Sequence, residues 1–162
     1  MTTWARPAGA DTVREEGAEA AVRAFFDAYR AHDVELMVDL CTDNAGFRYV
    51  PFEVWGRQRV LYGEGKVSTV GKVIWTTLLD AFPDLATVVT SLRADRAGNV
   101  AAEVGIGGTQ AKDFGNVASA SGHYELPHLF LFSVTGDGLI DHIVAYWDNA
   151  GWKKQLGCLE VD

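Results

Sequence analysis

With 162 residues, the chain has the length of one domain with a core of its own and little room for a second. Its net charge is −8 and no cluster of Lys and Arg stands apart from the acids; a phosphate backbone would be repelled, which argues against a nucleic-acid partner. No apolar run is long enough to span a bilayer, so a membrane-embedded chain is not expected either.

Met1 to Gly17 lacks both the basic start and the apolar block of a secretion signal. Gly, Ala, Pro and charges dominate there, so residues 1–16 are expected to form a loose leader and residues 17–162 a single domain. Cys41 and Cys158 have no metal-ligand spacing and read as free thiols, apolar filler in a reducing cytoplasm. Ala18, Val22, Phe25, Phe26 and Tyr29 recur at helical spacing, with Thr12 and Glu15 at capping-box spacing upstream. Asp33 can cap a second helix carrying Leu36, Met37, Leu40 and Cys41. Asp43-Asn44 reads as a turn, Phe47 to Phe52 as a strand, and Val54 to Gly65 as a loop holding Glu53's neighbours Trp55, Arg57 and Arg59.

A third helix is predicted from about Lys66 to Phe82 on the stripe Val67, Val70, Ile74, Leu78 and Phe82, stopped by Pro83-Asp84. Sheet follows: Leu85 to Ala94, Val100 to Gln110, His123 to Val134 and Leu139 to Asp148, with a long loop at Ala111 to Ser121 and a hairpin turn at Thr135 to Gly138. Trp152 to Leu156 makes a short terminal segment. Helices first and meandering strands after is an α+β arrangement, in which a curved, mostly antiparallel sheet wraps the helices. Gly105-Ile106-Gly107-Gly108 lies inside a strand rather than opening a helix, so it is not a dinucleotide loop.

Several short stretches then align with a known pattern. Phe82-Pro83-Asp84-Leu85, Gly108-Thr109, Gly136-Asp137-Gly138-Leu139-Ile140, Tyr146-Trp147-Asp148 and Gln155-Leu156-Gly157 resemble, in order and spacing, the SnoaL-like polyketide cyclase family. That family sits in the nuclear-transport-factor-two-like superfamily, and the likeness runs from Gly17 to Gly157. It implies a cone, a bent sheet closed by three helices, and a homodimer through the outer sheet face. It places the family's acid/base aspartate at Asp148, and a pocket polar group, commonly His in the family, at Gln110. Against the related ketosteroid isomerases, Phe25 stands in place of the oxyanion tyrosine and Tyr49 or a neighbour in place of the catalytic aspartate.

Period-two alternation puts His142, Val144, Tyr146 and Asp148 on one face of the closing strand and Ile143, Ala145 and Trp147 on the other. An inward Asp148 would bring Tyr146 into the cone, and its carboxyl among apolar walls would rise toward a working pKa. The outward Ile143, Ala145 and Trp147 would then form the dimer strip. The competing role for Asp148 is to cap the helical turn starting at Asn149. His128 shares a face with Phe130 and Phe132 and is the second candidate for proton transfer or for a hydrogen bond to a substrate carbonyl. His123 reads as a rim residue, and His32 as part of a helix break. No two histidines share metal-ligand spacing with a carboxylate, so no metal and no cofactor is expected.

Tyr49, Trp55, Trp75, Gln110 and Tyr146 are the candidate substrate contacts, with Tyr124 and Trp147 adding aromatic surface. These readings together suggest a cofactor-independent enzyme that moves a proton next to the carbonyl of a small hydrophobic compound, closing a ring by aldol attack. Dehydration and isomerisation share the same first step. A non-catalytic binding or dimerisation domain is the alternative, and epoxide hydrolysis a weaker one.

Overall fold

The computed structural model describes residues 8–51 and 63–158. The elements run α1 (Ala8–Arg30), α2 (Val34–Asp39), β1 (Cys41–Pro51), β2 (Gly63–Lys66), a π-helical turn (Val67–Gly71) leading into α3 (Lys72–Ala81), then β3 (Ala86–Ala94), β4 (Asn99–Thr109), β5 (His123–Val134), β6 (Ile140–Trp147) and α4 (Asn149–Gln155). The strands form one sheet in the order β2-β1-β6-β5-β4-β3. All neighbours are antiparallel except β1 and β6, which run parallel with Tyr49 opposite Ala145 and Pro51 opposite Trp147. The result is the expected α+β architecture, an unclosed curved sheet with helices on its inner side.

The helical stripe of α1 is the core side, as its spacing predicts: Ala18, Val22, Phe25, Phe26 and Tyr29 are all buried. Phe25 and Phe26 meet the sheet edge-on, Phe25 against Phe132 at 5.5 Å and Phe26 against Phe130 at 5.2 Å between ring centres. These edge-to-face contacts suit the ring quadrupoles. His32 takes φ 59° at the helix break and its Nε2 lies 2.7 Å from the Leu85 carbonyl, tying the helical hairpin to the start of the sheet. Asp33 caps α2 by accepting the Leu36 N–H at 3.0 Å. Asp84 fastens the turn after α3 to the end of β4 by accepting the Thr109 N–H, which holds its carboxyl below the usual range.

Three elements depart from the sequence reading. Helix α1 begins at Ala8 rather than near Thr12, so residues 8–16 are helical instead of a loose leader. Its outer end is held over the β3–β4 turn, where Arg14 donates to the Ala97 carbonyl and Glu15 faces Arg96. Strand β1 begins at Cys41, and Asp43-Asn44 forms part of a bulge against β6 rather than a turn: pairing jumps from Cys41 opposite Ile140 to Gly46 opposite His142. Extra residues on one strand bend it, which contributes to the sheet's curvature. Strand β2, read as loop, pairs with β1 through Gly-Glu-Gly-Lys. Backbone pairing needs no side-chain pattern, and Gly63 sits where a Cβ would strike the Ile74 side chain at 2.3 Å.

The face of β6 is also reversed. Ile143, Ala145 and Trp147 are the buried, inward set, while His142 is exposed and Val144 and Tyr146 are partly exposed on the outer side. The registers explain this, since Ile143 is opposite Phe132, Ala145 opposite Phe130 and Trp147 opposite His128, all inward residues of β5. Slipping β6 by one residue would bury His142 and expose Trp147, which the hydrophobic pattern opposes. Ile143, Ala145 and Trp147 therefore cannot form a dimer strip. Leu129 and Leu131, each 39% exposed, take the outer positions opposite Tyr146 and Val144.

Candidate functional site

The inner face of the sheet does not fill completely. Between α3 and the sheet lies a cavity of about 230 Å³. Its walls are Tyr49 of β1, Trp147 of β6, His128 and Tyr124 of β5 and Ile106 of β4. Tyr29 of α1, Val73, Ile74, Thr77 and Leu78 of α3, Phe114 and Gly115 of the β4–β5 loop and Trp152 of α4 complete it. Val73 is 64% exposed and yet lines the cavity, so the opening lies along the outer edge of α3. None of these described lining residues carries a carboxylate, ammonium or guanidinium. The polar atoms are phenols, an imidazole, indole N–H groups and one threonine hydroxyl.

His128 is the most informative of them. Its Nδ1 lies 3.1 Å from the Leu126 carbonyl oxygen of its own strand. A carbonyl can only accept, so Nδ1 carries the hydrogen and Nε2 is left as a lone pair directed away from the strand. Among the described residues Nε2 has no partner. The ring lies parallel to Trp147, with 4° between planes and 6.4 Å between centres, and is backed by Phe130. Burial among these rings disfavours the imidazolium and takes the His128 pKa down to about 4, with the Leu126 bond offsetting part of the effect. At neutral pH this is an uncharged base.

Of the three phenols, Tyr124 shares strand β5 with His128, while Tyr49 is held on the other side of Trp147. Tyr49 on β1 and His128 on β5 flank the central strand β6, and the Tyr49 ring lies 6.4 Å from that of Trp147. Tyr29 projects from α1 toward Tyr49; its hydroxyl is buried and makes no hydrogen bond, as is true of Trp75 Nε1 and Trp147 Nε1. The Tyr29 hydroxyl and the Trp75 N–H approach the Tyr49 oxygen closely enough to favour its ionised form, though neither makes a bond of acceptable geometry. Burial pushes the Tyr49 phenol up to about 12 and that of Tyr29 well above its usual value. Burial does the same to Tyr124. These phenols remain protonated; the Tyr29 hydroxyl is the one found buried without a partner, and a buried donor without an acceptor costs roughly 1–3 kcal/mol. A carbonyl oxygen reaching it would satisfy it.

The sequence-derived site residues divide accordingly. His128 and Tyr49 line the cavity. Trp75 is fully buried behind it, edge-on to Phe25 and Phe47. Gln110 is buried in the base of the β4–β5 loop, where its Nε2 donates to the Val117 carbonyl at 3.0 Å; it is not a cavity residue. Tyr146 lies on the outer face and does not reach the cone. Asp148 is not a cavity residue: it is the N-cap of α4, its Oδ1 accepting the Gly151 N–H at 2.9 Å. Trp55, with Glu53, Arg57 and Arg59, lies outside the described residues. His123 is an exposed rim residue paired with Thr109, and Glu103 is exposed.

Tyr29, Thr77, Phe114 and Trp152 line the cavity without having been singled out as contacts. Tyr29 was legible only as part of a helical stripe, and the others carried no site signal. Among the described residues no group of three His, Cys, Asp or Glu converges as a metal site would require, and no helix is long and apolar enough to cross a membrane.

A bent sheet with helices inside it and a hollow between them defines the cone-shaped class to which nuclear-transport-factor-two-like proteins belong. Within that class, the chain belongs to the SnoaL-like domain family, whose profile matches residues 22–143. Three solved structures show the same fold. AclR from Streptomyces galilaeus, a candidate hydroxylase, is 16% identical with a TM-score of 0.72, over 91% of this chain and 89% of its own. A candidate SnoaL-like polyketide cyclase from Jannaschia sp. CCS1 is 18% identical with a TM-score of 0.69, over 98% and 100%. SalBIII, an epoxide hydrolase/cyclase-like enzyme of pyran ring formation in salinomycin, is 19% identical with a TM-score of 0.63, over 85% and 95%. No curated protein matches the chain in sequence.

Proposed function

We propose that the protein binds a small hydrophobic carbonyl compound in the cone and moves a proton next to that carbonyl, with His128 as the base. The observation that carries this reading is the fixed tautomer of His128: Nδ1–H is held by the Leu126 carbonyl and Nε2 is free. With a pKa of about 4, the imidazole is roughly as basic as an ordinary carboxylate. The two part company once a proton is taken. A carboxylate becomes neutral, whereas the imidazole becomes a cation beside the newly formed enolate, and that opposite charge recovers what burial removed.

The Tyr29 and Tyr49 hydroxyls supply protonated donors for the enolate oxygen, whose hydrogen bonds strengthen as negative charge develops. Aldol closure, loss of water or return of the proton elsewhere would each complete a reaction from that enolate. Proton transfer falls to His128 rather than Asp148 in this reading, because Asp148 caps α4 and is not among the residues lining the cavity. It also has a second copy of the chain covering the outer sheet face at Leu129 and Leu131, where two exposed apolar side chains adjoin Val144 and Tyr146.

The experiment is hydrogen exchange at the α-carbon of 2-tetralone in D2O, followed by NMR. The wild-type protein should accelerate exchange, and His128→Phe should return it to the buffer rate while Asp148→Asn leaves it in place. Equal exchange with wild-type and His128→Phe protein would remove the reading. The lack of any carboxylate among the described lining residues favours one other reading, a carrier that holds the same compound without turnover. In that case tetralone would bind and no exchange would be accelerated.

A further inference from the structure

We infer that Trp75, which stands behind the cavity wall, positions Tyr49: its indole N–H holds the Tyr49 oxygen so that the phenol turns its own hydrogen to the substrate carbonyl. The inference rests on the cavity being the site proposed above, and adds a residue that works through one of its walls.

The sequence around Trp75 sets its place. The π-helical turn ends at Gly71, one helical turn before Trp75 of α3. A Cβ on Gly71 would come within 3.2 Å of the indole ring, so the missing side chain leaves the space that the ring takes. On β1, Phe47 and Tyr49 are alternate residues and share the inner face. Their rings meet edge-on at 4.8 Å, and Phe47 meets Trp75 edge-on at 5.1 Å. One phenyl ring therefore fixes both the indole and the phenol. Tyr29 closes the group from α1, its ring centre 6.5 Å from that of the indole.

Chemistry sets the direction. An indole N–H can only donate, whereas a phenol oxygen both donates and accepts. Trp75 is fully buried, its Nε1 has no partner among the described residues, and the oxygen it approaches is that of Tyr49. Only a lone pair can meet that N–H, and Tyr29 approaches the same oxygen as a second donor. The Tyr49 hydrogen then has to point elsewhere. Tyr49 is partly exposed and lines the cavity, so the open direction is toward a ligand. A carbonyl there supplies the acceptor that the phenol needs and leaves its lone pair to Trp75. As negative charge grows on the substrate oxygen, the phenol donates more strongly and becomes the better acceptor for the indole.

The test follows the Trp75 indole N–H by proton–nitrogen NMR in the full chain, titrated with 2-tetralone and with tetralin, the same skeleton without the carbonyl. The ketone should move the Trp75 signal downfield, tetralin should leave it, and Tyr49→Phe should abolish the ketone's effect. In the exchange assay, Trp75→Phe should slow α-exchange of 2-tetralone roughly three- to tenfold, the worth of one hydrogen bond. It should have no further effect where Tyr49 is already Phe. No response to the ketone, an equal response to tetralin, or a shift that survives Tyr49→Phe overturns the inference. So does exchange that Trp75→Phe leaves unchanged. The NMR comparison keeps the native indole and decides the matter should Trp75→Phe fail to fold. A ketone-specific, Tyr49-dependent shift without any α-exchange would sustain this inference while removing the catalytic reading, and His128-dependent exchange without the shift would do the reverse.

Discussion

Replacing His128 with Phe should flatten the acid side of the protein's stability curve. The imidazole is enclosed by Trp147 and Phe130 and titrates at about 4 in the folded chain, against about 6.5 when unfolded. Between those two values the unfolded chain binds more protons, so stability rises with pH across the interval. His128 therefore contributes its full effect above the unfolded value and loses it as pH falls from 6.5 toward 4. At 1.36 kcal/mol per unit the loss is about 3 kcal/mol in all, with about 2.5 kcal/mol gone by pH 4.5.

Urea unfolding followed by tryptophan fluorescence at pH 7.5, 5.5 and 4.5 would measure it. Phe cannot reproduce the bond to the Leu126 carbonyl, so the variant starts from a fixed offset. The readout is the change in that offset with pH, which cancels the contributions of Asp84 and Asp95, both held low by local hydrogen bonds. Wild type should lose about 2–3 kcal/mol more than His128→Phe between pH 7.5 and 4.5. Parallel losses in the two proteins would refute the claim that the imidazole is buried as a neutral group.

Three further outcomes are expected from packing and capping. Asp148→Ala should cost about 1 kcal/mol in urea unfolding, whereas Asp148→Asn, which caps equally well, should remain near wild type. Tyr29→Phe removes a buried hydroxyl without a partner, so its thermal midpoint should hold or rise while α-exchange of 2-tetralone falls. A clear drop in stability would show that the hydroxyl is bonded. Phe25→Ala removes a fully buried ring in edge contact with Phe26, Tyr29, Trp75 and Phe132 and should cost about 3–5 kcal/mol by denaturant titration.

Most of the architecture could be read from periodicity, and the limits of that reading are physical. The α1 stripe was legible because polar residues surround it; on β5 period-two spacing put His128 on one face with Phe130 and Phe132, but Leu129 and Leu131 between them gave no polar mark of the outer side. On β6 His142 alone marks the outer set as polar, since Val144 and Tyr146 beside it are as apolar or aromatic as Ile143, Ala145 and Trp147, so the strand's own pattern is a weak guide to which set is buried. The choice comes from cross-strand partners, Phe132, Phe130 and His128, which no local pattern contains. Strand β2 has glycines where side chains would mark a face.

The cavity is the least legible feature of all. Helical spacing identifies Tyr29 as inward, but an inward residue against a void looks the same in sequence as one against a packed neighbour. Only the placement of α3 over the sheet distinguishes them. The polar character of Tyr29 was the available hint, since a phenol at a stripe position brings a hydroxyl that needs an acceptor. Asp148 shows the converse: its capping role was readable from the Asn149 turn directly after it, and the structure places it there.

Nitrogen-15 NMR of the His128 ring across pH 3 to 8 tests the central claim most directly, because its shifts report both tautomer and protonation. The neutral Nδ1–H form should persist through pH 5, with protonation centred near 4. A ring that is Nε2-protonated, or that titrates as a solvated imidazole does, would contradict it.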